Sequence, residues 1–352
     1  MFTNVMMHKR VYQKKDGRML YLYGQKPHTL PALEEGENTG QAQSHARWHP
    51  LRQEWVVFAA SRQGRTFLPP KQYDPLAPSK PGGFPSEIPF EDFEIAVFQN
   101  RWPSLSPQAG EPPEDLAIPT RDARGDCEVV VYTPEHSGSI ASLSPERREL
   151  LVQVWADRYR DLYAREHIQY VMPFENRGEQ MGVTLHHPHG QIYAYPWVPP
   201  ILQKELEAFQ KSPVLLDLLP HLGPYTVLED EYTIACIPPY ARYPYELLVF
   251  PKRFRPGLWT FSTAETQSFA RTLGQVVQKL DNLFHKPMPY VMALHAAPKG
   301  AEAVFHFHVE FYPALRTADK LKYLAGTEIA AGTFAMDALP EETARVLRAV
   351  EI

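Results

Sequence analysis

Only two cysteines occur in 352 residues, Cys127 and Cys236, and they stand far apart. A disulfide framework is therefore excluded, no C-x-x-C exists to build a cysteine-rich zinc site, and a reducing cytoplasm is the expected compartment. No apolar run approaches the length of a membrane span. The first residues carry Lys9, Arg10, Lys14 and Lys15 rather than the continuous apolar stretch of a signal peptide. An excess of positive charge is also missing: the formal net charge is −5, which argues against a dedicated nucleic-acid binder. Disorder is excluded by what is present, 12% aromatic and 44% hydrophobic residues. Proline is frequent, with 35 residues, and is densest in 69–113 and 196–200, which read as ordered wrapping loops.

The chain opens with an expected hairpin, Val11–Gln13 and Met19–Leu22 around a turn at Asp16-Gly17, followed by a polar loop over 35–45. Strands are expected at Glu54–Ala59 and Glu94–Phe98. From Glu128 the pattern becomes regular: a strand at Glu128–Tyr132, a helix opened by Ser144-Pro145 and running to about Glu166, a strand at Gln169–Pro173, a Gly-rich turn, and a strand from Thr184 to Tyr195. Shifted by 118 positions, from Glu128 to Glu246, the order recurs. A strand at Glu246–Phe250 leads to the capping box Ser262-Thr263-Ala264-Glu265, a helix to about Phe284, a strand at Tyr290–Leu294 and a strand at Val304–Tyr312. Both units end in His-x-His, His187-Pro188-His189 and His306-Phe307-His308, so the chain carries an internal duplication. The expected fold is α+β: two fused β-α-β-β repeats forming one broad, mainly antiparallel sheet with packed helices. The expected division is 1–45 for the hairpin and loop, 46–200 for the first half and 201–352 for the second.

The chemistry concentrates in His187-Pro188-His189-Gly190-Gln191. Alternate residues of a strand share a face, so His187, His189 and Gln191 are expected to line one surface. Pro188 removes a backbone donor and biases His187 toward extended backbone, and Gly190 is expected to let a ligand approach closely. A neutral imidazole can attack phosphorus, and an amide N–H can hold a phosphoryl oxygen. By itself a His-x-His is equally a surface strand or a casual metal pair. The upstream residues decide otherwise. Phe174-Glu175-Asn176-Arg177-Gly178, Met181-Gly182-Val183-Thr184 and then HPHGQ form a long ordered pattern.

This pattern resembles the signature of the galactose-1-phosphate uridylyltransferases of the histidine-triad superfamily, whose usual form is FENKG, MG, Ser, HPHGQ. The resemblance extends over about residues 45–345. It implies that His189 is the nucleophile, attacking the α-phosphorus of UDP-glucose to form a uridylyl-histidine that galactose-1-phosphate then discharges. Gln191 and Thr184 (Ser in the usual pattern) are implied as donors to the phosphoryl oxygens. Gln191 stands where hydrolytic members of the superfamily carry a third, titratable histidine. Arg62 and Arg65, in Ser61-Arg62-Gln63-Gly64-Arg65, match two phosphate-binding arginines. Asn100 and Asn176 match contacts to the nucleotide and the phosphates. Lys322 and Glu328, in Lys322-Tyr323-Leu324-Ala325-Gly326-Thr327-Glu328, match contacts to the hexose phosphate and a sugar hydroxyl. In the family these last residues and the arginines reach a neighbouring subunit, so a homodimer with shared sites is implied, with UDP-glucose and galactose-1-phosphate as partners.

The chain also departs from the family. The zinc-binding C-x-x-C is replaced by Asp74-Pro75-Leu76-Ala77, leaving Asp74, His136 and His187. A second set comprises His295, His308 and Glu310, with His306 alongside, and in a shortened region only Glu205 stands for the fourth family ligand. Zinc or iron in a structural role is the cofactor these sets imply; no organic cofactor is expected. Thr327 and Phe334 replace family residues near the hexose, which leaves the sugar less determined than the nucleotidyl transfer. Two further readings stand beside the transferase: a related transferase or phosphorylase using an ADP-sugar or dinucleotide, and a non-catalytic nucleotide-binding protein. The intact His189 and Gln191 speak against the latter.

Overall fold

The structure, a computed structural model, describes residues 6–29, 44–64 and 69–352. Most of the expected loop over 35–45 and the expected phosphate ligand Arg65 lie outside the described residues.

The N-terminal hairpin forms as expected, β1 (His8–Gln13) against β2 (Met19–Gly24), with Gly17 at φ 80° in the turn. A small sheet follows from β3 (Ser44–His49) and β4 (Glu54–Ala59), joined later by β6 (Thr120–Asp122). Between them β5 (Ile95–Gln99) returns to the hairpin. The first repeat is β7 (Asp126–Val131), α1 (Pro145–Tyr163), β8 (Tyr170–Arg177) and β9 (His189–Tyr195). Two short helices, α2 (Pro200–Lys211) and α3 (Val214–Leu218), lead to β10 (Thr226–Glu229) and β11 (Thr233–Cys236). The second repeat is β12 (Leu247–Pro251), α4 (Thr263–Leu283), β13 (Tyr290–His295) and β14 (His308–Pro313), and α5 (Pro340–Ala349) follows.

Eleven strands form one antiparallel sheet in the order β1-β2-β5-β7-β9-β8-β13-β14-β12-β11-β10. The sequence β7-β9-β8 on one side of the β8–β13 seam is mirrored by β12-β14-β13 on the other. The central strands are apolar on both faces because both are covered. Val130 and Ile192 pack with Trp155 of α1, and Val249 with Phe269 of α4, in one cluster on the helix face. Val129 and Val131 turn the other way, toward Leu20, Phe98 and Phe90. In the second half Leu248 and Phe250 turn toward Leu202 and Phe209 of α2.

The helix starts are set locally. The Ser144 hydroxyl accepts from the Arg147 N–H with Pro145 in the first turn, and Ser262 and Glu265 close a reciprocal capping box. Helix α1 ends at Tyr163, short of the expected Glu166. The Arg165 N–H turns back to the Leu162 carbonyl (3.1 Å), and its guanidinium pairs with Asp126 (2.5 Å).

Two expected strands begin late, and for the same reason. The strand expected from Thr184 starts at His189, and the one expected from Val304 starts at His308. In each case the first histidine of the pair is drawn out of the alternation by a buried acceptor. His187 Nε2–H donates to the Thr133 carbonyl (2.7 Å) and His306 Nε2–H to the Pro251 carbonyl (2.9 Å). His187 therefore does not share a face with His189 and Gln191; it is buried, 1% exposed.

A fully buried ion pair ties α1 to the sheet. Arg158 Nε and Nη2 donate to the two Glu128 carboxylate oxygens at 2.9 and 2.7 Å, both side chains being inaccessible. Losing one partner strands the other charge in the core. Arg158→Met is expected to lower unfolding stability by about 3–5 kcal/mol in urea titrations, whereas Arg158→Met combined with Glu128→Leu recovers much of that loss.

Candidate active site

Strand β9 emerges between β7 and β8 with His189 and Gln191 on the face away from the helices. Val129 of β7 lies opposite Gln191, and Phe174 of β8 lies opposite it on the other side. These residues line a cavity of about 570 Å³, into which Arg62, Asn100, Asn176 and Thr184 also project. All the expected catalytic residues and the described nucleotide contacts thus meet in one place. His187 is not part of the lining.

The His189 ring is oriented by its own chain. Nδ1–H donates to the carbonyl of His187 at 2.6 Å. A carbonyl can only accept, so Nδ1 carries the proton and Nε2 keeps its lone pair. Burial pushes the His189 pKa below its ordinary value, opposed by that same hydrogen bond. The ring is therefore neutral near pH 7, the state a nucleophile requires.

Around it, Arg62 Nη1–H donates to the Trp102 carbonyl (2.9 Å) and lies 3.4 Å from the Tyr193 hydroxyl, which holds the guanidinium at the cavity wall. Asn100 serves in two ways: its Oδ1 accepts from the Trp102 N–H (2.9 Å), an Asx turn, while the residue lines the cavity. Thr184 follows Gly182, which takes φ 75° after the short turn Glu179–Met181. Gly190 has a different role from the one expected. A Cβ there would lie 2.3 Å from the Tyr132 hydroxyl on the helix side, so its missing side chain makes room for Tyr132 rather than for a ligand. Tyr132 and Tyr290 both donate to the buried Glu175 carboxyl (3.2 and 3.3 Å), which burial pushes up to about 7.

Asp74, His136 and His187 gather close to His189. Asp74 Oδ2 is 2.6 Å from His187 Nδ1 and 2.7 Å from His136 Nδ1. Burial alone would raise the Asp74 carboxyl, but the bonds and charges from His187 and His136 hold it at about 2. Both ring nitrogens of His187 face oxygen acceptors, so a neutral ring satisfies only one of them. The set supplies three donors, one short of a tetrahedral structural site.

The second set is complete. His295 Nδ1 lies 3.0 Å from Glu205, His308 Nε2 lies 3.4 Å from Glu205, and Glu310 is 3.9 Å from each imidazole. Four donors converge within 4.8 Å, two nitrogen and two carboxylate, a combination that suits zinc or iron. His308 Nδ1–H donates to the His306 carbonyl (2.9 Å), as His189 does to His187, which aims Nε2 at the set. Glu310 is also bonded by Tyr312 and lies near Arg242. A shift of 119 places His295, His308 and Glu310 on Asn176, His189 and Gln191. The second repeat thus carries a ligand cluster where the first carries its cavity. Helix α2 covers that face, with Leu202 and Phe209 buried against Phe305 and Glu205 reaching inward. Glu205 becomes a full member only because α2 lies there.

Lys322 and Glu328 are brought together, 3.3 Å apart, but neither lines the cavity of its own chain. Sequence reasoning missed Lys14, Arg18 and Glu87, which do line it. For Lys14 and Arg18 the sequence signal was a charged hairpin turn, and Glu87 stood in a proline-rich loop with none.

Residues 34–199 match the family described as galactose-1-phosphate uridyl transferase, N-terminal domain, and residues 223–352 its C-terminal domain. The galactose-1-phosphate uridylyltransferase of Thermotoga maritima is 39% identical over 320 residues, covering 87% of this chain and 98% of the relative. That of Streptomyces lividans is 33% identical over 312 residues, covering 84% and 82%. A solved uridylyltransferase structure superposes with TM-score 0.78 at 29% identity over 87% of this chain and 98% of that one. An ADP-glucose phosphorylase from Arabidopsis thaliana shares the fold at 20% identity, TM-score 0.66, over 88% of this chain and 100% of its own.

Proposed function

The chain belongs to the galactose-1-phosphate uridylyltransferase family, and we propose that it performs that family's reaction by covalent catalysis at His189. The reaction is a nucleotidyl transfer, UMP passing between UDP-glucose and galactose-1-phosphate. The observation that carries the mechanism is the His189 Nδ1–H bond to the His187 carbonyl, which leaves Nε2 free to attack at the cavity.

In the first half-reaction the Nε2 lone pair forms a bond to the α-phosphorus, the bond to the bridging oxygen breaks, and glucose-1-phosphate departs with its electron pair. In the second, a phosphate oxygen of galactose-1-phosphate attacks the same phosphorus, the P–N bond breaks, and the imidazole recovers its lone pair. No net proton is consumed. The Gln191 amide and Thr184 hydroxyl donate to the phosphoryl oxygens as charge develops, and Arg62, with Arg65, neutralises the phosphates. Asn100 and Asn176 orient the nucleotide. Lys322 and Glu328 complete the hexose end of a partner subunit's cavity in a homodimer, which accounts for their distance from their own. The two buried, unpaired thiols suit a reducing cytoplasm.

Glu205, His295, His308 and Glu310 would hold a structural zinc or iron, which would tie α2 to β13 and β14 and take no part in the transfer.

Incubation with UDP-glucose alone is expected to add one uridylyl group by intact mass and to release glucose-1-phosphate. His189→Ala abolishes the adduct; full adduct in that variant refutes the nucleophile. Gln191→His, which places a titratable ring where an amide stood, is expected to raise hydrolysis of UDP-glucose relative to transfer, and an unchanged partition would remove that role from Gln191. Elemental analysis is expected to find one zinc or iron per chain. His295→Ala loses it with a lower melting temperature and Asp74→Ala keeps it; the reverse pattern moves the metal to the other set.

A further inference from the structure

The hairpin β1–β2 lies ahead of residue 34, where the family match begins, yet its turn supplies Lys14 and Arg18 to the wall of the His189 cavity. The Lys14 side chain is 11% exposed and ion-paired with Glu87. Among the described residues, Glu87 is the one hydrogen-bond acceptor of its ammonium, which has three N–H groups to give. Arg18 is committed to structure: Nη1–H donates to the Gln99 carbonyl (2.9 Å), Nε–H to Asp16 (2.8 Å) and Nη2–H to Glu87 (2.7 Å). It braces the carboxylate that in turn holds Lys14.

Lys14 and Arg18 are paired with Glu87 and Asp16, so the charge of these two cations is largely met within the cluster, and Lys15 of the same turn also lines the cavity. The cluster offers a neutral ligand a directed donor. The Lys14 ammonium lies 5.3 Å from the Phe98 ring centroid. Phe98 is opposite Val129, and Val129 is opposite Gln191, so the three form one row across the cavity face. Phe98 stands two strands from β9, about 10 Å, the reach of a ribose and a base from a phosphorus held at His189. The base edge then meets Lys14.

We propose that Lys14, presented by this hairpin, selects the base of the transferred nucleotide by donating to the carbonyl at C4, and so favours uracil over cytosine. An ammonium donates only. Uracil offers an acceptor oxygen where cytosine offers an amino group, itself a donor. Cytosine would leave two donors facing each other in a partly dehydrated pocket. The inference rests on His189 holding the nucleotide's phosphorus.

The test is calorimetric binding of UMP and CMP to the full chain and to Lys14→Met, which keeps Glu87 paired with Arg18. The wild-type protein is expected to prefer UMP, and Lys14→Met to lose at least about tenfold of the UMP/CMP affinity ratio. Lys14→Gln, whose amide N–H can replace one donor, is expected to fall between them and gives a reading if the methionine variant does not fold. A ratio unchanged in the folded variants, or equal weakening of both nucleotides, overturns the proposal. Absence of a uridylyl adduct in the wild-type protein would instead sink the covalent mechanism, while a Lys14-dependent preference for UMP would still stand.

Discussion

One short hydrogen bond governs the chemistry: the 2.6 Å contact from the His189 ring to the carbonyl of His187. It fixes the tautomer, aims the lone pair, and requires the chain to bend so that a carbonyl two residues back meets its own ring. That bend is possible because His187 is drawn inward by Thr133 and Asp74, and because Pro188 has no N–H to lose. A ring held in this way has little reorganisation left to do when it attacks. The Asp74 cluster therefore supports the proposed nucleophile through the backbone rather than by touching the reacting atoms.

The duplicated half reproduces the same bend and reaches a different outcome. His308 donates to His306 as His189 does to His187. Yet His295 and Glu310 replace Asn176 and Gln191, and α2 lies over the face that stays open in the first half. Two imidazoles and two carboxylates form a closed, four-donor cluster that suits a cation. An imidazole, an amide and a carboxamide around an open cavity suit a phosphoryl group. One backbone geometry thus supports either role, and the covering helix decides between them.

The hairpin adds a third layer. By pairing β2 with β5 it extends the sheet, and by folding its charged turn over Phe98 it adds to the cavity wall. Specificity for the base then resides in a segment ahead of the family match, as loop-borne specificity does on other scaffolds.

Local chemistry made much of this legible. Ser144-Pro145 and the Ser262–Glu265 box announce their helices, continuous apolar runs mark β7 and β12, and the ordered FENRG–HPHGQ pattern marks Asn176, His189 and Gln191 as one site, to which the Ser61–Arg65 segment adds Arg62. Alternation failed at His187 and His306, where buried carbonyls far away in sequence outcompete the strand. The weight of Glu205 was hidden because it depends on where α2 comes to rest, and Lys14 looked like any solvated turn residue until Glu87, 73 positions away, buried it. The sequence by itself determined the repeats and the transfer chemistry, and singled out His189 as the proposed nucleophile, because these rest on short-range periodicity and on residue types in fixed order. Only the tertiary structure decided which histidine turns inward, which half keeps an open cavity and what lines the base end, because each depends on desolvation by segments that are neighbours in space alone.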